Sequence, residues 1–202
     1  MNANLSVPAF QLHPDWVGEI VARLKDDRLR DAVVSDPRMR ARIAARLASE
    51  QGLPEPDLRG LLPTARQIIT AYNTDTQRLV MLAGLLWNAR LLARMVTRDA
   101  MANVMGQFDR ADIVYAVKLR EFAPPEQSTG FEPAKLREVV ATSGLRCTLS
   151  WLKALPPGLA GRLRMSIPRT LSFADDAARL PAENCADILI LAARSIKEPE
   201  AA

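Results

Sequence analysis

The stretch Leu79-Val-Met-Leu-Ala-Gly-Leu-Leu-Trp-Asn-Ala-Arg-Leu-Leu-Ala-Arg94 decides the fold class. Thr74, with Gln77 three residues on, matches a capping-box start. From there the pattern predicts a helix to about Val96, roughly 33 Å long at 1.5 Å per residue. Leu79, Leu82, Leu86 and Ala93 face one way; Val80, Trp87, Leu91 and Met95 cover other sides. Arg90 and Arg94 mark the exposed strip. A helix apolar on most sides belongs at the centre of a bundle. The alternative, a membrane span, needs about 20 apolar residues. The apolar run from Leu79 to Trp87 is half that and ends in Asn88 and Arg90.

Helical pieces flank this centre. Asp15 to about Leu29 carries Trp16, Ile20, Val21 and Leu24 at helical spacing, with Asp15 as the expected cap. Asp36-Pro37 opens a second helix as cap plus first-turn proline; Met39, Ile43 and Leu47 form its apolar side, and Gly52 and Pro54 stop it. The proline-rich stretch 53–63 is a candidate internal linker. Arg98 to Met105 and Asp109 to Phe122 read as two helices parted near Gly106. Pro133 starts another, with an expected break at Ser143-Gly144 before Leu145 to Leu155, and Pro156-Pro157 ends it. Leu163, Met165 and Ile167 then alternate with polar residues, as Leu171 and Phe173 do after Pro168, which is a strand period. A last helix runs from about Ala182 to Ile196, burying Cys185, Ile188, Leu189, Ala192 and Ile196. The expectation is a mainly α chain: one helical domain over residues 1–202, a central buried helix, a frayed tail at 197–202, and at most one short β element near residues 162–173.

Composition narrows the function. Hydrophobic residues make up 49% and charged residues 25% of the 202, so most of the chain can fold around a core. The net charge is +4, from 22 arginines and 5 lysines against 23 acids. The acids are interspersed, so no basic block of the kind nucleic-acid binders concentrate on one face appears. The N-terminus lacks the basic and apolar regions of a secretory signal, which gives a cytoplasmic expectation.

Chemistry-bearing motifs are scarce. His13 is the single histidine, which excludes multi-histidine metal sites. There is no phosphate-cradling glycine loop, no Cys-x-x-Cys and no His-Glu-x-x-His. Asp26-Asp27 and Asp175-Asp176 are neighbours that point about 100° apart on a helix; both read as solvated, with Asp175 closing a capping box on Ser172. Cys147 and Cys185 read as buried free thiols that act as small core hydrophobes, with a single bridge as the alternative. No catalytic, cofactor-binding or metal residue is therefore assigned, and no cofactor or small-molecule substrate is expected. Trp16, Trp87 and Trp151 sit on apolar faces; Trp16, near the terminus, doubles as a candidate interface anchor. Arg38, Arg42 and Arg46 recur every fourth residue along one helix face. They are the candidate docking stripe for an acidic partner, with Arg40 off to the side.

Arg98 to Glu121 has the outline of a helix-turn-helix. Its second helix offers Arg110, Asp112, Tyr115, Lys118, Arg120 and Glu121, and the two acids would face phosphates unfavourably. A stronger likeness lies in the apolar segments. Leu79 to Arg94 with the Met101 to Lys118 helices resembles the central part of the SctK family, cytoplasmic accessory proteins of bacterial type III secretion systems such as YscK and PscK. Ser143-Gly144-Leu145 leading to Trp151, followed by Leu163-Arg-Met-Ser-Ile-Pro168, is similar to the family's Ser-Gly helix and Leu-x-Leu-x-Leu-Pro ending, with Met165 and Ile167 where leucine is typical. Phe10-Gln-Leu-His-Pro-Asp-Trp16 resembles the family's start. The likeness spans about Thr74 to Pro168. It implies a non-enzymatic adaptor of the cytosolic sorting platform, peripheral to the inner membrane, linking the ring protein SctD to the SctQ pods and, through SctL, to the ATPase SctN. The alternatives are a helix-turn-helix regulator and a type III secretion chaperone.

Overall fold

The computed structural model describes residues 12–22, 24–56, 58, 60–95, 97–125, 133–169 and 182–197. Among them it forms eleven α-helices and two short 3-10 turns and no strand, so the chain is mainly α. Contacts divide it into two compact units: Met1–Leu62 with Leu152–Asp175, and Pro63–Trp151 with Asp176–Ala202. The proline-rich stretch 53–63 reaches from the first unit into the first residue of the second.

The first unit holds α1 (Pro14–Val21), α2 (Asp27–Ser35), α3 (Pro37–Glu50) and α10 (Pro157–Arg164). The helix expected from Asp15 to Leu29 is two helices. His13, not Asp15, caps the first: its Nδ1 accepts the Asp15 N–H at 3.3 Å, with Pro14 at the first helical position. Asp26 opens the second by accepting from the Arg28 and Leu29 N–H groups. An aspartate able to satisfy two orphan N–H groups favours a new start over continuation. Asp36 caps α3 as expected, accepting from the Arg38 N–H at 2.7 Å. Gly52, at φ +62, ends α3: its N–H donates to Ser49 and that of Leu53 to Ala48, which satisfies two final carbonyls. Leu12, Val17, Val21, Ile43, Ala48 and Met165 form the core.

The strand expected near residues 162–173 is absent where described. Residues 162–164 end α10, which Pro157 starts at its first turn, and 165–169 are turn. The alternation mimics a strand because Leu163, Met165 and Ile167 are buried around a tight reversal. Arg164, itself buried, organises that reversal. Its Nη1 donates to the Ile167 and Pro168 carbonyls at 3.2 and 2.9 Å, and its Nη2 to that of Arg169 at 3.4 Å. Residues 170–173, the Ser172–Asp175 capping box and the tail beyond Lys197 lie outside the described residues.

The second unit contains α4 (Pro63–Thr74), α5 (Thr76–Trp87), α6 (Ala89–Ala93), α7 (Arg98–Gln107), α8 (Arg110–Lys118), most of α9 (Leu136–Lys153) and α11 (Ala182–Lys197). α5 is its centre: from Leu79 to Leu86 every residue except Met81 is buried. α11 packs on α5 and α4, and α8 on α5 and α6. The central helix is shorter than expected at both ends. Thr74 closes α4 by donating its hydroxyl back to Thr70, and Asp75 becomes the cap, accepting the Arg78 N–H at 2.9 Å. Asn88 interrupts the far end, its side-chain amide donating to the Gly84 carbonyl at 2.8 Å beside its own N–H. That is local side-chain competition with the helix ladder. Trp87, at this end, is half-buried, whereas Trp151 is buried.

α9 runs without the expected break at Ser143-Gly144. The glycine is there for contact. A methyl group at Gly144 would collide with the carbonyl oxygen of Val80, and one at Gly84 with that of Val140. α5 and α9 thus cross backbone against backbone, each giving a glycine to the other's valine carbonyl. Gly144→Ala should destabilise the protein despite alanine's higher helix propensity. Overpacking here costs about 1–3 kcal/mol, against a propensity gain of about 1 kcal/mol. The check is denaturant unfolding, in which a control Gly106→Ala, where nothing lies within 4 Å, should be neutral or stabilising.

Candidate partner-binding surface

α3 presents the arginines because its other side is needed for the core. Ile43 and Ala48 are buried and Met39, Ala44 and Leu47 half-buried, leaving Arg38, Arg42 and Arg46 exposed on the opposite face. The three are not equivalent. Arg46 Nε donates to Glu50 Oε1 at 2.7 Å, an i,i+4 pair whose hydrogen bond and charge raise the Arg46 pKa further above its ordinary value. Arg38 and Arg42 have no ion pair or side-chain hydrogen bond among the described residues. Arg40 turns inward: it is half-buried and its Nε is enclosed without a hydrogen-bond partner among the described residues. The free positive charge of the stripe is therefore two guanidiniums toward the N-terminal end of α3. The Arg46–Glu50 pair was readable from spacing, one turn past the apolar side.

Trp16 lies in the same unit. Its indole packs half-buried against the first unit's core, and its Nε1 donates to the Ile167 carbonyl at 2.9 Å. The Arg164 and Arg169 guanidiniums lie 5.8 and 5.4 Å from the ring centroid, within cation–π range. The ring's polar handle is thus used inside the unit, joining α1 to the 165–169 reversal alongside the His13 N–H bond to the Met165 carbonyl at 2.8 Å. Sequence periodicity identified Trp16 as apolar-facing; it contained no sign of the carbonyl 151 residues away.

The remaining candidates have local duties. Asp26 is a cap, and Asp27 pairs with Arg30 at 2.8 Å; Asp175-Asp176 lies outside the described residues. In the helix-turn-helix outline, α7 and α8 are parted at Phe108-Asp109, where Asp109 caps α8. Asp112 sits 3.5 Å from Arg78, and the Tyr115 hydroxyl donates to the Leu191 carbonyl at 2.8 Å. That leaves Arg110, Ala111, Val114 and Lys118 exposed. Among the described residues no three His, Cys, Asp or Glu side chains converge as a metal site, and no helix is long and apolar enough to cross a membrane. Comparisons with family models, curated proteins and solved structures give no match.

Trp16→Phe keeps the ring and removes the N–H donor to Ile167. It should cost about 1 kcal/mol, the net worth of such a bond, with the Ile167 carbonyl still held by Arg164 Nη1. Thermal unfolding measures it, and hydrogen exchange at the Ile167 and Arg169 amides should rise.

Proposed function

We propose that this chain is a non-enzymatic cytoplasmic adaptor of the SctK type, working in a type III secretion sorting platform. It would join an SctD-like cytoplasmic domain to an SctQ-like pod protein, and through SctL to the ATPase SctN. It would reach the inner membrane through those partners. The observation that carries this reading is spatial. Leu79 to Arg94 and Ser143 to Trp151, two of the segments that resemble SctK, are neighbours in three dimensions, crossing at Gly84 and Gly144. A likeness that falls on both sides of one close helix crossing is a likeness of a packed unit, and a stronger support than two isolated apolar patterns.

The docking surface in this reading is the outward face of α3. Charges at the rim of an interface act mainly on association rate and salt sensitivity. Arg38 and Arg42, unpaired and exposed, suit an acidic patch on either partner. Arg46 contributes less, since Glu50 already neutralises it.

The direct test is co-purification of the full chain with SctQ and with the SctD cytoplasmic domain from the same bacterium. Stable complexes with one or both are expected, and recovery of neither refutes the adaptor. The stripe is tested separately by association kinetics at low and moderate salt. R38E/R42E should slow association about tenfold or more at low salt, in line with the 10–10³ range of electrostatic steering, with the melting temperature nearly unchanged. R46E alone should have a smaller effect. An unaltered rate and salt slope in R38E/R42E would show α3 to be a solvated face while leaving the adaptor standing.

A further inference from the structure

Among the described helices of the second unit, α7 is the one with the least beneath it. Of its ten residues only Val104 is buried, whereas α5 buries seven. Its one substantial neighbour among the described residues is the 3-10 turn Pro133–Lys135, just ahead of α9. The apolar stripe of α7 is also wider than its seat. Met101, Val104 and Met105, with Phe108 just past the end, recur at the i, i+3, i+4, i+7 spacing of one helix face. Val104 is buried and Met101 and Phe108 are half-buried, but Met105 is 47% exposed.

A pair of hydrogen bonds between helix ends fastens α7. Gln107, its last residue, accepts the Arg137 N–H on its side-chain Oε1 at 3.1 Å and the Arg137 Nη1 on its carbonyl at 2.8 Å. The Arg137 N–H lies in the first turn of α9 and the Gln107 carbonyl in the last turn of α7. Such end groups are the ones a helix ladder does not satisfy, and water serves them as well as a neighbour does. Both bonds are exposed. The residues on either side leave α7 separate from its neighbours in sequence. Thr97 and Phe108 are extended backbone, which ends the ladder before and after it. α8 has its own cap in Asp109 and packs on α5 and α6.

We propose that α7 is a hinged flap that swings off the start of α9 as a unit, pivoting at Thr97 and Phe108, with Gln107 and Arg137 as its clasp. Opening gives up one buried side chain and two bonds that water replaces, a far smaller loss than freeing α5. Proteins open in such cooperative pieces well below the free energy of global unfolding. The open flap uncovers Val104 and completes an apolar stripe from Met101 to Phe108, a surface that the closed form withholds. The flap does not depend on the adaptor reading.

Native-state hydrogen exchange of the full-length protein, resolved by residue, tests it. The Met101 to Phe108 amides should exchange at least about tenfold faster than those of α5, relative to unfolded-chain rates. Their exchange should depend little on low urea, because a small opening exposes little surface. Arg137→Ala removes the guanidinium bond and Gln107→Ala the side-chain one. Each should speed exchange in α7 about three- to tenfold, the worth of one such bond, and leave α5, α8 and α11 unchanged. The wild-type comparison stands whether or not a variant folds. Equal protection and equal urea dependence in α7 and α5 would overturn the flap, as would variants that speed all helices alike or leave α7 unmoved.

Discussion

The close crossing of α5 and α9 constrains most of the second unit. Two helices normally sit 8–10 Å apart, held off by side chains. Where each offers a glycine to the other's carbonyl, there is no side-chain layer between them. Val80 and Gly84, one turn apart, meet Gly144 and Val140, one turn apart in the opposite order. Each glycine needs the other helix in register, because a shift by one residue would bring a Cβ against a carbonyl. α11 then packs along α5, and α8 closes over α5 and α6. The near-complete burial of Leu79 to Leu86 follows from α5 being enclosed by its neighbours.

The first unit depends on a different device. Its helices are short, and its core is completed by a segment from far along the chain, with Met165 among Leu12, Val17, Val21 and Ile43. That segment has no ladder of its own. Its carbonyls are satisfied one by one: Met165 by the His13 N–H, Ile167 by Trp16 and Arg164, and Pro168 and Arg169 by Arg164. A buried guanidinium surrounded by carbonyls and an aromatic face loses little by leaving water, because its donors find acceptors again.

What the sequence disclosed depended on the range of the interaction. The Asp36-Pro37 start, the Gly52 stop and the apolar side of α3 are set by residues within a turn of one another, and all were legible. The centre of α5 was legible because burial on most sides leaves a mark at every position. Asp75 displaced the Thr74–Gln77 box because an adjacent carboxylate is the better acceptor, a competition between neighbours that pattern matching ranked wrongly. Ser143-Gly144 read as a break because a mid-helix glycine is locally unfavourable; its reason, Val80, is 64 positions upstream. Leu163 to Ile167 read as a strand because alternation of apolar and polar residues usually records one-sided burial, whereas this reversal buries all five, Arg164 and Ser166 included. The stripe was legible as exposed charge and its pairing at Glu50 follows i,i+4 spacing; the approach of Cys147 Sγ to the Cys185 carbonyl, 38 positions away, needed the fold.

These facts bear on where partner recognition can reside. The segments that resemble SctK hold both outer and inner residues: α8 keeps Arg110, Ala111, Val114 and Lys118 exposed, while α5 is enclosed and Gly144 and Trp151 are buried. The buried residues specify packing, and their side chains are not available to another protein. In the adaptor reading, recognition would come from exposed residues, among them those of α3, which lies outside the Thr74–Pro168 likeness. On α3 the arginines contribute nothing to the core, since Met39, Ile43 and Leu47 occupy the inward side. Arg38 and Arg42 stand uncompensated among the described residues, so the fold itself gives no reason for their charge. A surface that the fold does not require and the core likeness does not specify is free to vary with the partner it meets. In the adaptor reading, the shared interior would set the shape and α3 would set the choice of partner.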